Sequence, residues 1–134
     1  MVDFKVILLY FNAINYEMIT EGWQMFRIAS IFKIRPGYKD EYKKAHDEIW
    51  PELVEEIKTL GIKNYSIYFR KDGTLFSYFE VELSRQEFEK RWEEYFKKDI
   101  CKKWQEYMNK YIIKKDITKI SPDFEDLEEV FHLD

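Results

Sequence analysis

His46 is one of two histidines in the chain and stands in the string Tyr42-Lys-Lys-Ala-His46-Asp-Glu-Ile-Trp50-Pro51-Glu52. Imidazole titrates at about 6.5, so it can take up and return a proton near neutrality. Tyr42 precedes it by one helical turn and offers a ring to pack and a hydroxyl to bind. Trp50 follows it by four residues. A proton carrier among aromatic rings suits chemistry on a sugar. Opening a cyclic hemiacetal requires a proton on the ring oxygen while another leaves the anomeric hydroxyl. Asp47, Glu48 and Glu52 add carboxylates that could act as a second acid or base, although such residues beside an apolar stripe are usually solvated. A histidine satisfied by hydrogen bonds inside the core is the competing reading, and the residues alone leave both open.

The elements that must position these groups can be read from periodicity. Phe26 to Ile34 alternates as a strand, with Phe26, Ile28, Phe32 and Ile34 on one side. Pro36-Gly37 ends it, and a helix is expected from about Tyr38. Along that helix Tyr42, His46, Ile49, Leu53, Ile57 and Leu60 fall in one arc, which puts His46 within the apolar stripe. Pro51 lacks an N–H, so the helix must kink or restart there, with Trp50 as a wedge. Gly61 is the expected stop.

Two strands, Lys63 to Phe69 and Thr74 to Glu82, are joined by Arg70-Lys-Asp72-Gly73, a hairpin signal. Tyr65, Ile67 and Phe69 share a face of the first. Ser84 and Glu87 predict a capping box for the next helix. Asp99 opens a further helix that carries Cys101, Trp104, Met108 and Tyr111 at helical spacing. Glu129 to Leu133 has strand character. The order strand–helix–strand–strand–helix–strand is that of a ferredoxin-like α+β sandwich. Helices cover one sheet face, and a second subunit is expected to bury the other.

Composition narrows the classes. A chain of 134 residues with 46% hydrophobic and 36% charged residues is one globular domain. Residues 25–134 form the expected domain, with 1–24 as an extension that is either an extra strand or a mis-assigned start. The net charge of −4 comes with no concentrated basic patch, which argues against nucleic acid. No apolar run approaches bilayer length, and Val6 to Phe11 lacks the flanks of a signal peptide. A cytoplasmic location is therefore expected. Cys101 is the single cysteine, as suits a reducing compartment, and it reads as a small packed hydrophobe. One Cys and two His also argue against a structural zinc site. His132 is given no chemistry.

Four strings in order extend the reading: Tyr42 to Glu52, Asn64-Tyr65-Ser-Ile-Tyr68, Asp99-Ile-Cys101-Lys-Lys-Trp104-Gln105-Glu-Tyr107-Met108, and Leu127-Glu-Glu-Val-Phe131-His-Leu133. Together they resemble the L-rhamnose mutarotase family over about residues 25–134. The resemblance implies a homodimeric ferredoxin-like α/β barrel that interconverts the anomers of L-rhamnopyranose without metal or organic cofactor. It makes His46 the proton donor and Tyr42 and Tyr65 sugar-contacting tyrosines. Trp104 matches the first of two adjacent pocket tryptophans, and Gln105 replaces the second. An amide in place of an indole exchanges a stacking surface for two donors and an acceptor, which bears on sugar preference more than on reaction type. Two other functions fit the fold: a cofactor-independent oxygenase, and a non-catalytic sugar-binding module.

Overall fold

A computed structural model describes residues 25–134. The extension expected at 1–24, with its apolar run, lies outside the described residues. The order of elements is β1 (Phe26–Ile34), α1 (Lys39–Asp47), α2 (Pro51–Thr59), β2 (Ile62–Phe69), β3 (Thr74–Val81), α3 (Arg85–Tyr95), α4 (Asp99–Met108), β4 (Ile112–Ile113) and β5 (Glu125–Leu127). This is an α+β arrangement. The strands form one antiparallel sheet in the order β2–β3–β1–β4, and β5 also pairs with β1.

Alternation divides the sheet into two faces. Phe32 and Ile34 of β1 with Leu75, Phe79 and Val81 of β3 point to one side, where they are buried against Leu53 and Leu60, Phe88 and Tyr95, and Cys101, Trp104 and Met108. Leu53 is wholly enclosed at 0% exposure, so trimming it to alanine should cost about 2–5 kcal/mol. The opposite face carries Ile31, Phe76 and Tyr78, all only half-buried.

Between β2 and β3 the register slips. Lys63 pairs with Glu80 but Ser66 pairs with Tyr78, so β2 carries one extra residue. Asn64 absorbs it with a left-handed φ of 49°, a conformation that asparagine tolerates better than most residues. A slip of one residue turns every following side chain to the other face. The bulge thereby brings Tyr65, Ile67 and Phe69 to the same side as Ile62. At the hairpin, Gly73 takes φ 91° and Asp72 Oδ1 accepts the Thr74 amide at 3.0 Å.

Pro51 restarts the helix. Trp50 is extended (φ −65°, ψ 128°), as the residue before proline prefers, and Pro51 occupies the first turn of α2. Ser84 Oγ accepts the Glu87 amide at 3.1 Å, which is half of the expected capping box. The other half is absent because the Glu87 carboxylate accepts from Arg91 at 2.8 Å. The strand expected at Glu129 to Leu133 needs correction, since β5 ends at Leu127. Val130 and Phe131 are 88% and 79% exposed. Strand propensity without a neighbouring strand leaves backbone groups to water, and extended pairing does not form.

Candidate active site

α1 presents one face to the sheet at the spacing of helical turns. Lys39, Tyr42, Lys43 and His46 all border a cavity of about 630 Å³ between α1 and β2. Ile34, Ile67 and Leu75 form its apolar floor, and Tyr65 stands across from the helix. Its size is that of an ordinary small-molecule site.

His46 is half-buried. Its Nδ1 lies 2.9 Å from the Tyr42 carbonyl oxygen. A carbonyl only accepts, so Nδ1 carries the proton and Nε2 keeps the lone pair. Burial lowers the pKa of the imidazole, against smaller opposing effects from that hydrogen bond and from Asp47. The ring at rest is a neutral base.

Two contacts hold the ring. Tyr42 packs against it with centroids 4.3 Å apart, and Trp104 meets it edge-on at 5.3 Å and 81°. Trp104 in turn lies edge-on to Trp50 at 5.2 Å, and Trp50 stacks on Tyr107 at 6.1 Å. The wedge expected at Trp50 is thus part of the support behind His46.

Burial raises the Tyr42 phenol far above its usual range and pushes Tyr65 up to about 12. Tyr65 nevertheless keeps 41% of its surface accessible and borders the cavity. Both hydroxyls stay protonated at neutral pH and can donate to a ligand.

The structure therefore brings Tyr42, His46 and Tyr65 to one cavity. Trp104 and Gln105, each 7% exposed, are buried on α4 and are not among the residues lining it. Asp47 does line it and pairs with Lys43 at 2.6 Å, whereas Glu48 and Glu52 are exposed away from the lining. His132 pairs with Asp134 at 2.7 Å near the end of the chain. Cys101 is buried at 1% exposure, and burial raises its thiol pKa. Lys39 and Lys43 were not expected in the wall, although they precede His46 by seven and three residues and so share its helical face.

The sequence profile described as L-rhamnose mutarotase matches residues 27–133. The chain belongs to the L-rhamnose mutarotase family. It is accordingly an isomerase. An L-rhamnose mutarotase of Mannheimia succiniciproducens is 39% identical over 115 residues, covering 82% of this chain and all of that one. One from Bacillus subtilis is 37% identical over 111 residues, with 82% of this chain and all of that chain covered. The crystal structure of an L-rhamnose mutarotase from Formosa agariphila superposes with a TM-score of 0.69 at 31% identity, covering 81% of this chain and 99% of its own. Among the described residues no helix is long and apolar enough to cross a membrane.

Proposed function

We propose that the protein interconverts the α and β anomers of L-rhamnose, or of a similar 6-deoxyhexose, with His46 carrying the proton. The observation that carries this reading is the His46 imidazole, fixed by its Nδ1–H bond to the Tyr42 carbonyl and bordering a cavity that two protonated tyrosines share. Nε2 takes the proton of the anomeric hydroxyl. The electron pair left on that oxygen forms the C1 carbonyl as the bond from C1 to the ring oxygen breaks. The imidazolium then gives its proton to the ring oxygen, so His46 acts as the donor in the second half of the step. Both oxygens are substituents of the same carbon, and one imidazole can serve them in turn. Rotation about C1–C2 and the reverse sequence close the ring on the other face.

Tyr42 and Tyr65 hold sugar hydroxyls as donors, and Trp104 supports the imidazole from behind. The strand order β2–β3–β1–β4 supports the ferredoxin-like reading. A homodimer that closes a dimeric α/β barrel would cover the half-exposed Ile31, Phe76 and Tyr78 face. A cytoplasmic location goes with this function. Exchange between the α and β signals of L-rhamnose, read by saturation-transfer NMR, tests the reaction. Exchange no faster than in buffer would defeat it for that sugar. Sedimentation at the 16.6 kDa monomer mass would defeat the dimer.

A further inference from the structure

The helix-covered sheet face is apolar along most of its length, with Ile28, Phe32 and Ile34 on β1 beside Leu75, Phe79 and Val81 on β3. One cross-strand row breaks that pattern. Ser77 pairs with Ser30, and Ser30 pairs on its other side with Asp126. Directly paired residues share a face, so three polar side chains line up across β3, β1 and β5. Ser30 and Ser77 are each 3% exposed, with their hydroxyl oxygens 2.7 Å apart. The two hydroxyls satisfy each other, yet apolar packing of the face does not require them. A buried hydroxyl costs about 1–3 kcal/mol unless it is hydrogen-bonded, and alanine or valine would fill the place without that demand.

The row opens into a second cavity, of about 260 Å³. Arg85 and Glu89 border it one helical turn apart on α3, with Asp126 also at its edge. Among the described residues none of these three forms an ion pair. The Arg85 guanidinium lies instead over the Phe26 ring at 4.4 Å. Trp92 and Phe124 give the cavity aromatic walls. Tyr65 borders this cavity and the His46 cavity alike. On β3 their floors are offset from Leu75 to Ser77, about 7 Å of strand and the scale of one pyranose ring.

Carboxylates that accept, a guanidinium that donates, hydroxyls that do both and aromatic faces for C–H surface together match a hydroxyl-rich ring. We propose that the second cavity is a subsite for a second pyranose, linked to the sugar whose anomeric carbon faces His46. This rests on the mutarotase reading. The linkage runs through a hydroxyl away from C1, because C1 must stay free to open. The substrate class is then a reducing disaccharide built on a 6-deoxyhexose.

The test compares L-rhamnose with a reducing rhamnosyl-rhamnose disaccharide, in the unaltered protein and in the Glu89→Gln/Asp126→Asn double variant. One or two added hydrogen bonds should lower KM for the disaccharide by at least about fivefold. The double variant should lose that advantage while kcat/KM for L-rhamnose stays within about twofold. Equal KM values for the two sugars, or equal losses on both, would overturn the subsite. Calorimetric binding to His46→Ala separates this from the mutarotase reading. If the unaltered protein turns over neither sugar but the disaccharide still binds His46→Ala more tightly through Glu89 and Asp126, the subsite stands and the mutarotase reading falls. If the disaccharide shows no binding advantage there, the subsite falls.

Discussion

The two sides of the His46 ring are built differently. In front lies a cavity with an apolar floor, bordered by Tyr42 and Tyr65. Behind lies an aromatic stack of Trp104, Trp50 and Tyr107. On the proposed mechanism the front holds the sugar, and the back, which does not line the cavity, acts through the imidazole. Resemblance placed Trp104 and Tyr65 together as sugar contacts; Tyr65 lines the His46 cavity, and Trp104 stands against the His46 ring outside that lining. Residues in front should govern binding and turnover at fixed pH. Residues behind should govern where the imidazole titrates.

The largest effect belongs to the residue between the two sides. His46→Ala should lower kcat for mutarotation by about 10²–10⁴-fold, with little loss of thermal stability because the ring is only half-buried. A folded variant with full exchange would remove His46 from the chemistry. In front, Tyr42→Phe and Tyr65→Phe each delete one hydroxyl and keep the ring. Each should reduce kcat/KM by about tenfold, mostly through KM, and leave the pH profile in place. Asn64→Val reaches the same wall indirectly. A β-branched residue resists φ 49°, so the bulge should relax or strain by about 1–2 kcal/mol, and KM should rise as Tyr65 turns from the cavity.

The back of the ring predicts a displacement along the pH axis. On the proposed mechanism the reaction starts from neutral imidazole, so kcat/KM should be flat above the lowered His46 pKa and fall on the acid side of it. Trp104→Phe leaves a gap behind the ring, lessens the burial that lowers the pKa, and should move the acid limb toward 6.5. KM at pH 8 should change little. Stability follows the same sign. The unfolded state binds this proton more readily than the folded state. His46 therefore removes stability as pH falls from about 6.5 to its folded value, and no more below that. An acid limb unmoved in Trp104→Phe, with KM raised instead, would place Trp104 at the sugar.

Much of the front was legible in the sequence because it depends on short spacings. Tyr42 and His46 are one turn apart on a helix, and Pro51 fixes where that helix ends. Tyr65 shares a face of β2 with Ile67 and Phe69 on alternation, but that this face meets the helices depends on the Asn64 bulge, which alternation alone does not reveal. Only pairing with β3 exposes the extra residue. The back was less legible. Trp104 and Gln105 lie on the buried side of α4, and helical periodicity says that such residues are inside without saying which cavity they reach. The tail failed for a related reason: Val130 and Phe131 have strand chemistry, but a strand is a property of two chains of backbone, and propensity sees one.

Gln105 gives the smallest expected effect and the sharpest division between front and back. It is 7% exposed, on the same buried helix face as Trp104, and outside the lining of the His46 cavity. If that placement governs selectivity, Gln105→Met should leave the ratio of kcat/KM for L-rhamnose to that for L-fucose within about twofold. Methionine is close in volume and flexible, so packing should lose less than about 1.5 kcal/mol. Gln105→Trp tests the opposite limit, since an indole must displace its neighbours and should destabilise by about 1–3 kcal/mol. A changed sugar ratio in Gln105→Met, without a matching loss of stability, would put the amide in contact with the substrate. The boundary between front and back would then run through α4 rather than through His46.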